Sequence, residues 1–169
     1  LQAALIELTR SNVADNHLAH RIAVIHADLR SLPSEQVTGP FDWVVSNPPY
    51  RRPDTGRINP NAQRALARHE IAVDLAQLLA CARRMLRTGG RLALIYPAER
   101  TADLLVQMRQ AGIEPKYLQG VHSQSGQAAR LVMVHGIHGA RPGLRMAPPL
   151  VVYQPDGGYT DMVSEMMKP

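Results

Sequence analysis

The residue types that could do chemistry stand together at Ser46-Asn47-Pro48-Pro49-Tyr50, directly after the apolar run Phe41-Asp42-Trp43-Val44-Val45. A strand that delivers Asn-Pro-Pro-Tyr to its C-terminal end suits methylation of a planar amide or amino nitrogen. An exocyclic NH₂ is a poor nucleophile because its lone pair is delocalised into the ring. To attack a methyl group it needs acceptors that hold both N–H bonds and draw the lone pair out of conjugation. The Asn47 side-chain oxygen and the Pro48 carbonyl can be those acceptors. Pro48 and Pro49 fix φ at about −65° and bias the residue before each toward extended backbone. The acceptors are thereby aimed in advance, which is electrostatic preorganisation. Tyr50 can stack on the ring of an extruded base. The plainer reading of the same residues is a stiff turn, with Tyr50 covering the core.

The elements around the motif favour the chemical reading. Phe41 to Ser46 is a short apolar run suited to a strand buried on both faces of a parallel sheet. Arg21 to Ala27 alternates as a second strand, ended by Asp28, and residues 2 to 16 read as a helix with Leu5, Leu8 and Val13 inward. Residues 29 to 40 are a loop broken by Pro33, Gly39 and Pro40, and a polar loop spans 51 to 62. Ile71, Leu75, Leu78, Leu79, Ala82, Met85 and Leu86 recur at spacings of three and four, the pattern of a helix stopped at Thr88-Gly89-Gly90.

Arg91 to Tyr96 follows as a strand closed by Pro97. Residues 99 to 111 form a helix ended by Gly112, with Leu104, Leu105 and Met108 inward. Residues 113 to 122 and 130 to 138 read as an antiparallel strand pair, since no convincing helix connects them. From Arg141 the chain is proline-rich and irregular, and Tyr159 to Met167 closes as a short helix. Strands alternating with helices predict an α/β, doubly wound, mostly parallel sheet with an antiparallel C-terminal pair. Ligands of such sheets bind outside the carboxyl ends of the strands, where Asp28 and Asn47 both fall.

The 169 residues, 45% hydrophobic, suffice for one α/β domain. We expect a single domain over 1–169, with 141–169 as an irregular extension packed on it. No apolar run approaches the ~20 residues of a membrane span, and no signal segment opens the chain. A single cysteine, Cys81, fits a reducing cytoplasm and reads as packing. No Cys/His spacing suggests a metal, His135 and His138 included.

The formal charge of +5 comes from 19 Lys and Arg against 14 Asp and Glu. Arg51, Arg52, Arg57, Arg64 and Arg68 gather just after the motif, opposed by Asp54 alone, and arginine forks suit phosphate. An exposed, soluble loop is the alternative reading of that cluster. Aromatics are few, at 4%, so an extended base-stacking platform is not expected.

At these residues the chain resembles the class I S-adenosylmethionine-dependent methyltransferases, with their Rossmann-like sheet. Within them it is similar to the bacterial tRNA adenine-N6 methyltransferases that act on a valine tRNA. The resemblance rests on Arg21 to Leu29, on Phe41 to Tyr50, and on Ala67-Arg68-His69-Glu70 opening the long helix. It continues through Leu86 to Arg91, Pro148 to Tyr153 and Gly158-Tyr159-Thr160. It implies that Asp28 accepts a hydrogen bond from the adenine amino group of S-adenosylmethionine, with the Leu29 backbone nearby. It implies that Asn47 and Pro48 hold the target amino group, Asn47 also lying near the methionine end of the cofactor, and that Tyr50 stacks on the target base. Arg68 and His69 join the arginine cluster as candidate RNA contacts, and Glu70 stands equally as a helix N-terminal charge. The implied partner is tRNA, in the cytoplasm.

The class also carries a glycine-rich loop after its first strand and an acidic residue after its second. Neither is present here, and Gly39 is the first glycine. The expectation is a chain truncated before Leu1, lacking its first strands, poor in cofactor binding and inactive alone. An apolar sheet edge left open beside Phe41 to Ser46 favours self-association. Rival readings are methylation of a protein glutamine amide, of guanine N2 in RNA, or of adenine in DNA, and a non-catalytic RNA-binding module.

Overall fold

Thirteen residues without glycine or proline, Ala3–Asp15, form helix α1 in the computed structural model. The structure describes residues 3–29, 32, 37, 39–48 and 75–168. The chain divides into two compact units, Leu1–Thr38 with Arg51–Asp74, and Gly39–Tyr50 with Leu75–Pro169. In the first unit, α1 ends in a Schellman turn. His17 adopts a left-handed φ of 57°, its N–H donates to the Ala14 carbonyl at 2.9 Å, and the Leu18 N–H donates to Val13, also at 2.9 Å.

Two expectations fail in this unit. Leu5 and Leu8 are not inward but 53% and 58% exposed. Arg21 to Ala27 alternates like a strand yet takes no strand conformation. Alternation equips a segment for a sheet, but a strand exists only where a neighbour satisfies its backbone.

The second unit holds a six-stranded mixed sheet in the order β1-β2-β4-β3-β5, with β6 also on β3. Strand β1 (Phe41–Ser46) pairs in parallel with β2 (Leu86–Pro97). Strand β4 (Ala129–His138) runs antiparallel between β2 and β3 (Ile113–His122). This is the expected α/β sheet with its antiparallel C-terminal pair. Helix α2 (Leu75–Met85) precedes β2, and α3 (Thr101–Gln110) connects β2 to β3.

The expected stop at Gly89-Gly90 takes a different form, because strand pairing starts earlier, at Leu86 opposite Phe41. The register then jumps, Trp43 facing Arg91, and residues 87 to 90 bulge out. Gly89 turns the bulge with φ 78°. A Cβ at Gly90 would stand 2.8 Å from the Arg87 carbonyl oxygen and 3.0 Å from that of Phe41, so only glycine lets these backbones approach.

One face of the sheet carries the core. Leu78, Leu79 and Ala82 of α2, with Leu104 and Met108 of α3, are buried along with Leu92, Leu94 and Tyr96 of β2 and Val132 and Val134 of β4. Each large side chain fully buried there stabilises the fold by roughly 1.5–3 kcal/mol. Cys81 is buried among them, as read from the sequence.

The proline-rich tail also departs from expectation. It contributes β5 (Arg145–Met146) and β6 (Leu150–Val151), both parallel to β3. Pro148 and Pro149 lack the N–H that pairing needs, so they separate the two segments. The Gln119 side-chain amide donates to the Pro148 carbonyl at 2.9 Å and spans the gap. Tyr153 and Tyr159 form an isolated bridge, and a short helix α4 (Asp161–Met166) follows. No helix among the described residues is long and apolar enough to cross a membrane.

Candidate active site

Asn47 and Pro48 emerge where β1 ends, just past the pairing of Ser46 with Leu94. The run Phe41 to Ser46 forms the strand that sequence predicted, and it delivers the pair to the carboxyl edge of the sheet. Pro48 is buried and Asn47 exposed. A proline anchored in the protein fixes the direction in which Asn47 and the Pro48 carbonyl leave the strand.

Pro49, Tyr50, Arg51, Arg52, Arg57, Arg64, Arg68 and His69 lie outside the described residues. Asp28 and Leu29 fall in the first unit, the former half-buried and the latter 37% exposed. Neither Asp28 nor Asn47 is without an interaction partner. Of the sequence-predicted residues, the structure thus brings together Asn47 and Pro48.

Beside Asn47, the sheet face opposite the core holds a hollow of about 390 Å³. Its walls include Trp43 and Val45 of β1, Ile95 of β2, Tyr117 of β3, and Met133 and His135 of β4. The walls are apolar with polar groups at the margin. The Arg91 guanidinium lies 5.1 Å from the Trp43 ring centroid, and that of Arg145 lies 5.5 Å from Tyr117. Both are cation–π distances. The Tyr117 hydroxyl donates to Gln119 Oε1 at 3.1 Å.

His135 is the unusual member. Its ring stacks on Trp43, and its Nε2 is buried without a hydrogen-bond partner among the described residues. Burial first, and the Arg91 charge second, hold its pKa below the ordinary 6.5. Both causes favour the neutral imidazole.

Sequence reasoning missed this hollow. His135 had drawn notice only as a metal ligand, for which its spacing gave no support. The available signal was the alternation of Trp43 and Val45 with Ala93 and Ile95, but strand register was needed to align them. Chemically, an apolar recess with Asn47 in its lining can take a planar ring.

Residues 1–129 match the family model described as the RMKL-like methyltransferase domain. The chain is 37% identical over 100 residues to a tRNA1(Val) (adenine(37)-N6)-methyltransferase of Porphyromonas gingivalis, covering 58% of this chain and 38% of that protein. It is 34% identical over 132 residues to the protein of the same name from Tolumonas auensis, covering 76% and 52%. Over 163 residues it is 28% identical to that of Aeromonas hydrophila, covering 95% and 64%. The chain therefore spans between about two fifths and just under two thirds of the length of these relatives.

Among solved structures, a predicted O-methyltransferase from Agrobacterium tumefaciens superposes with a TM-score of 0.72 at 20% identity, covering 98% of this chain and 73% of that one. TrmN from Thermus thermophilus gives a TM-score of 0.50 at 21% identity, covering 81% and 34%. Both show the fold, an α/β Rossmann-like methyltransferase sheet. With its sheet, its Asn-Pro at the end of β1 and the family match over most of its length, the chain belongs to the RMKL-like methyltransferase-domain family.

Proposed function

We propose that this chain is the catalytic part of an enzyme that transfers a methyl group from S-adenosylmethionine to N6 of an adenine in tRNA. The observation that carries the reading is Asn47-Pro48 at the carboxyl end of β1, beside a recess that suits a planar ring. The relatives' names support adenine in tRNA over the rival acceptors. S-adenosylmethionine supplies an electrophilic methyl group when bound. Its adenine is assigned to Asp28 and Leu29, and its methionine end to Asn47.

The chain's own contribution is positioning. Asn47 Oδ1 and the Pro48 carbonyl accept the two N–H bonds of the target amino group, localising its lone pair for in-line attack. Holding reactants in this geometry accounts for most of the acceleration. The methylated nitrogen then releases one proton to water, which restores a neutral amine. Tyr50 is assigned to stacking on the target base, and Arg51, Arg52, Arg57, Arg64, Arg68 and His69 to the RNA backbone. The reading places the protein in the cytoplasm and makes 1–169 one methyltransferase domain.

The test incubates the full-length protein that carries this chain with labelled S-adenosylmethionine and, separately, tRNA, duplex DNA and a release factor. N6-methyladenosine in the tRNA digest, lost on Asn47→Ala, is the expected result. Label on glutamine or on guanine N2 refutes the assignment.

A further inference from the structure

Charge is unevenly spread over the second unit. Helices α2 and α3 end, and β2 and β3 begin, at the amino edge of the sheet, opposite the edge that carries Asn47. Six cations gather there: Arg83 and Arg84 in the last turn of α2, Arg87 in the bulge, Arg109 in the last turn of α3, Lys116 near the start of β3 and Arg141 after β4.

Contacts tie several of them to elements at that edge. Arg83 Nε lies 3.3 Å from where a Cβ on Gly112 would stand. His138 Nδ1 is 3.3 Å from the Arg87 carbonyl oxygen, and Lys116 Nζ donates to the Arg141 carbonyl at 3.2 Å. Two acids answer them, Asp42 paired with Arg87 at 2.6 Å and Glu114 paired with Arg109 at 3.2 Å. Arg83, Arg84, Lys116 and Arg141 have no acidic partner among the described residues. The unit's other described acids, Glu99, Asp103, Asp156, Asp161 and Glu165, lie toward the carboxyl edge or in the tail beyond it.

Arginines in a last helical turn also complement the helix dipole, which accounts for Arg83, Arg84 and Arg109. It does not account for Lys116, on a strand, or Arg141, in a loop.

We propose that this amino edge docks the phosphate backbone of the substrate RNA, away from the base being methylated. The proposal rests on the reading that the substrate is tRNA. The six residues of β1, at about 3.3 Å each, put the edge about 20 Å from Asn47. A folded RNA bridges that distance and a nucleoside does not. Guanidinium forks match phosphate geometry, and each phosphate neutralised releases bound counterions.

The test compares the protein with its Arg83→Gln/Arg84→Gln/Lys116→Gln/Arg141→Gln variant, binding fluorescent tRNA over a salt series without S-adenosylmethionine. The expected result is binding weaker by well over tenfold, up to roughly a thousandfold, at about 0.1 M salt, and a salt dependence shallower by about three in log–log slope. A charge-retaining set, Arg83→Lys/Arg84→Lys/Lys116→Arg/Arg141→Lys, keeps both. Unchanged affinity and slope overturn the proposal, and so does an equal loss in the charge-retaining set. Because binding is read without methyl transfer, the two failures are distinguishable. Label on a protein glutamine sinks the assigned activity and with it the docking of a substrate RNA; unchanged RNA binding sinks the docking edge alone.

Discussion

Trp43 and His135 stack with ring centroids 5.4 Å apart and planes 26° from parallel, although β2 lies between their strands. Ala93 makes this contact possible. It registers with Val45 on one side and His135 on the other, and its methyl group leaves room for two rings to meet above the sheet. The pair forms one wall of the hollow beside Asn47.

Trp43→Ala removes the stack and the seat of the Arg91 cation–π contact. Trp43 is 49% exposed, so only part of its area counts. The expected loss is about 1–2 kcal/mol in a urea titration, from ring stacking and partial burial together. A larger loss of methyl transfer than of stability would place the ring in the substrate site.

The lowered pKa of His135 gives folding a pH dependence. Above its ordinary value of 6.5 both folded and unfolded chains hold it neutral, and its contribution to stability is complete. As pH falls below that value the unfolded chain takes up the proton first, so stability is lost until the folded form also protonates. The melting temperature should fall on acidification below about pH 6.5, and His135→Leu should fall less. Parallel pH profiles for the two proteins would contradict this account.

Among the described glycines, Gly136 leaves the least room for a side chain. A Cβ there would stand 2.5 Å from Met108 Cε, 2.9 Å from Ile113 Cγ2 and 3.2 Å from the Glu114 carbonyl oxygen. Met108 and Ile113 are both fully buried and cannot swing aside into solvent. Gly136→Ala should cost about 1–3 kcal/mol by overpacking, measured by thermal or urea unfolding.

The Arg87–Asp42 ion pair makes a contrast. Its side chains are 53% and 74% exposed, and water screens such pairs. Arg87→Ala should change stability by less than about 1 kcal/mol despite the 2.6 Å contact. Leu79→Ala, at a fully buried position, should cost about 2–5 kcal/mol in the same assay.

Strands β1 and β3 were legible to the residue, and β4 to within one, because each is a dense apolar or alternating run bounded by turn residues. Helices α2 and α3 were legible from spacings of three and four. What failed needed partners. Arg21 to Ala27 has strand alternation but pairs with no strand among the described residues. Residues 145–146 and 150–151 are too short to show a period, and they become strands because β3 offers them an edge. Asn47 and Pro48 could be placed from sequence because they follow a recognisable strand directly. The hollow could not, since Trp43, Ala93, Tyr117 and His135 are neighbours through register across four strands.

The antiparallel course of β4 has a consequence for the site. Because β4 returns between β2 and β3, the turn at residues 123–128 stands at the same end of the sheet as Asn47. It is pinned from within: the Gln127 N–H donates to the Gln124 carbonyl, and the Gln127 carbonyl oxygen lies 2.6 Å from His122 Nδ1. None of its residues belongs to the core. Insertions there would reshape the approach to Asn47 while leaving the helices and their packing intact. At this end of the sheet the surroundings of Asn47 can thus change at no cost to the packing that keeps the chain folded.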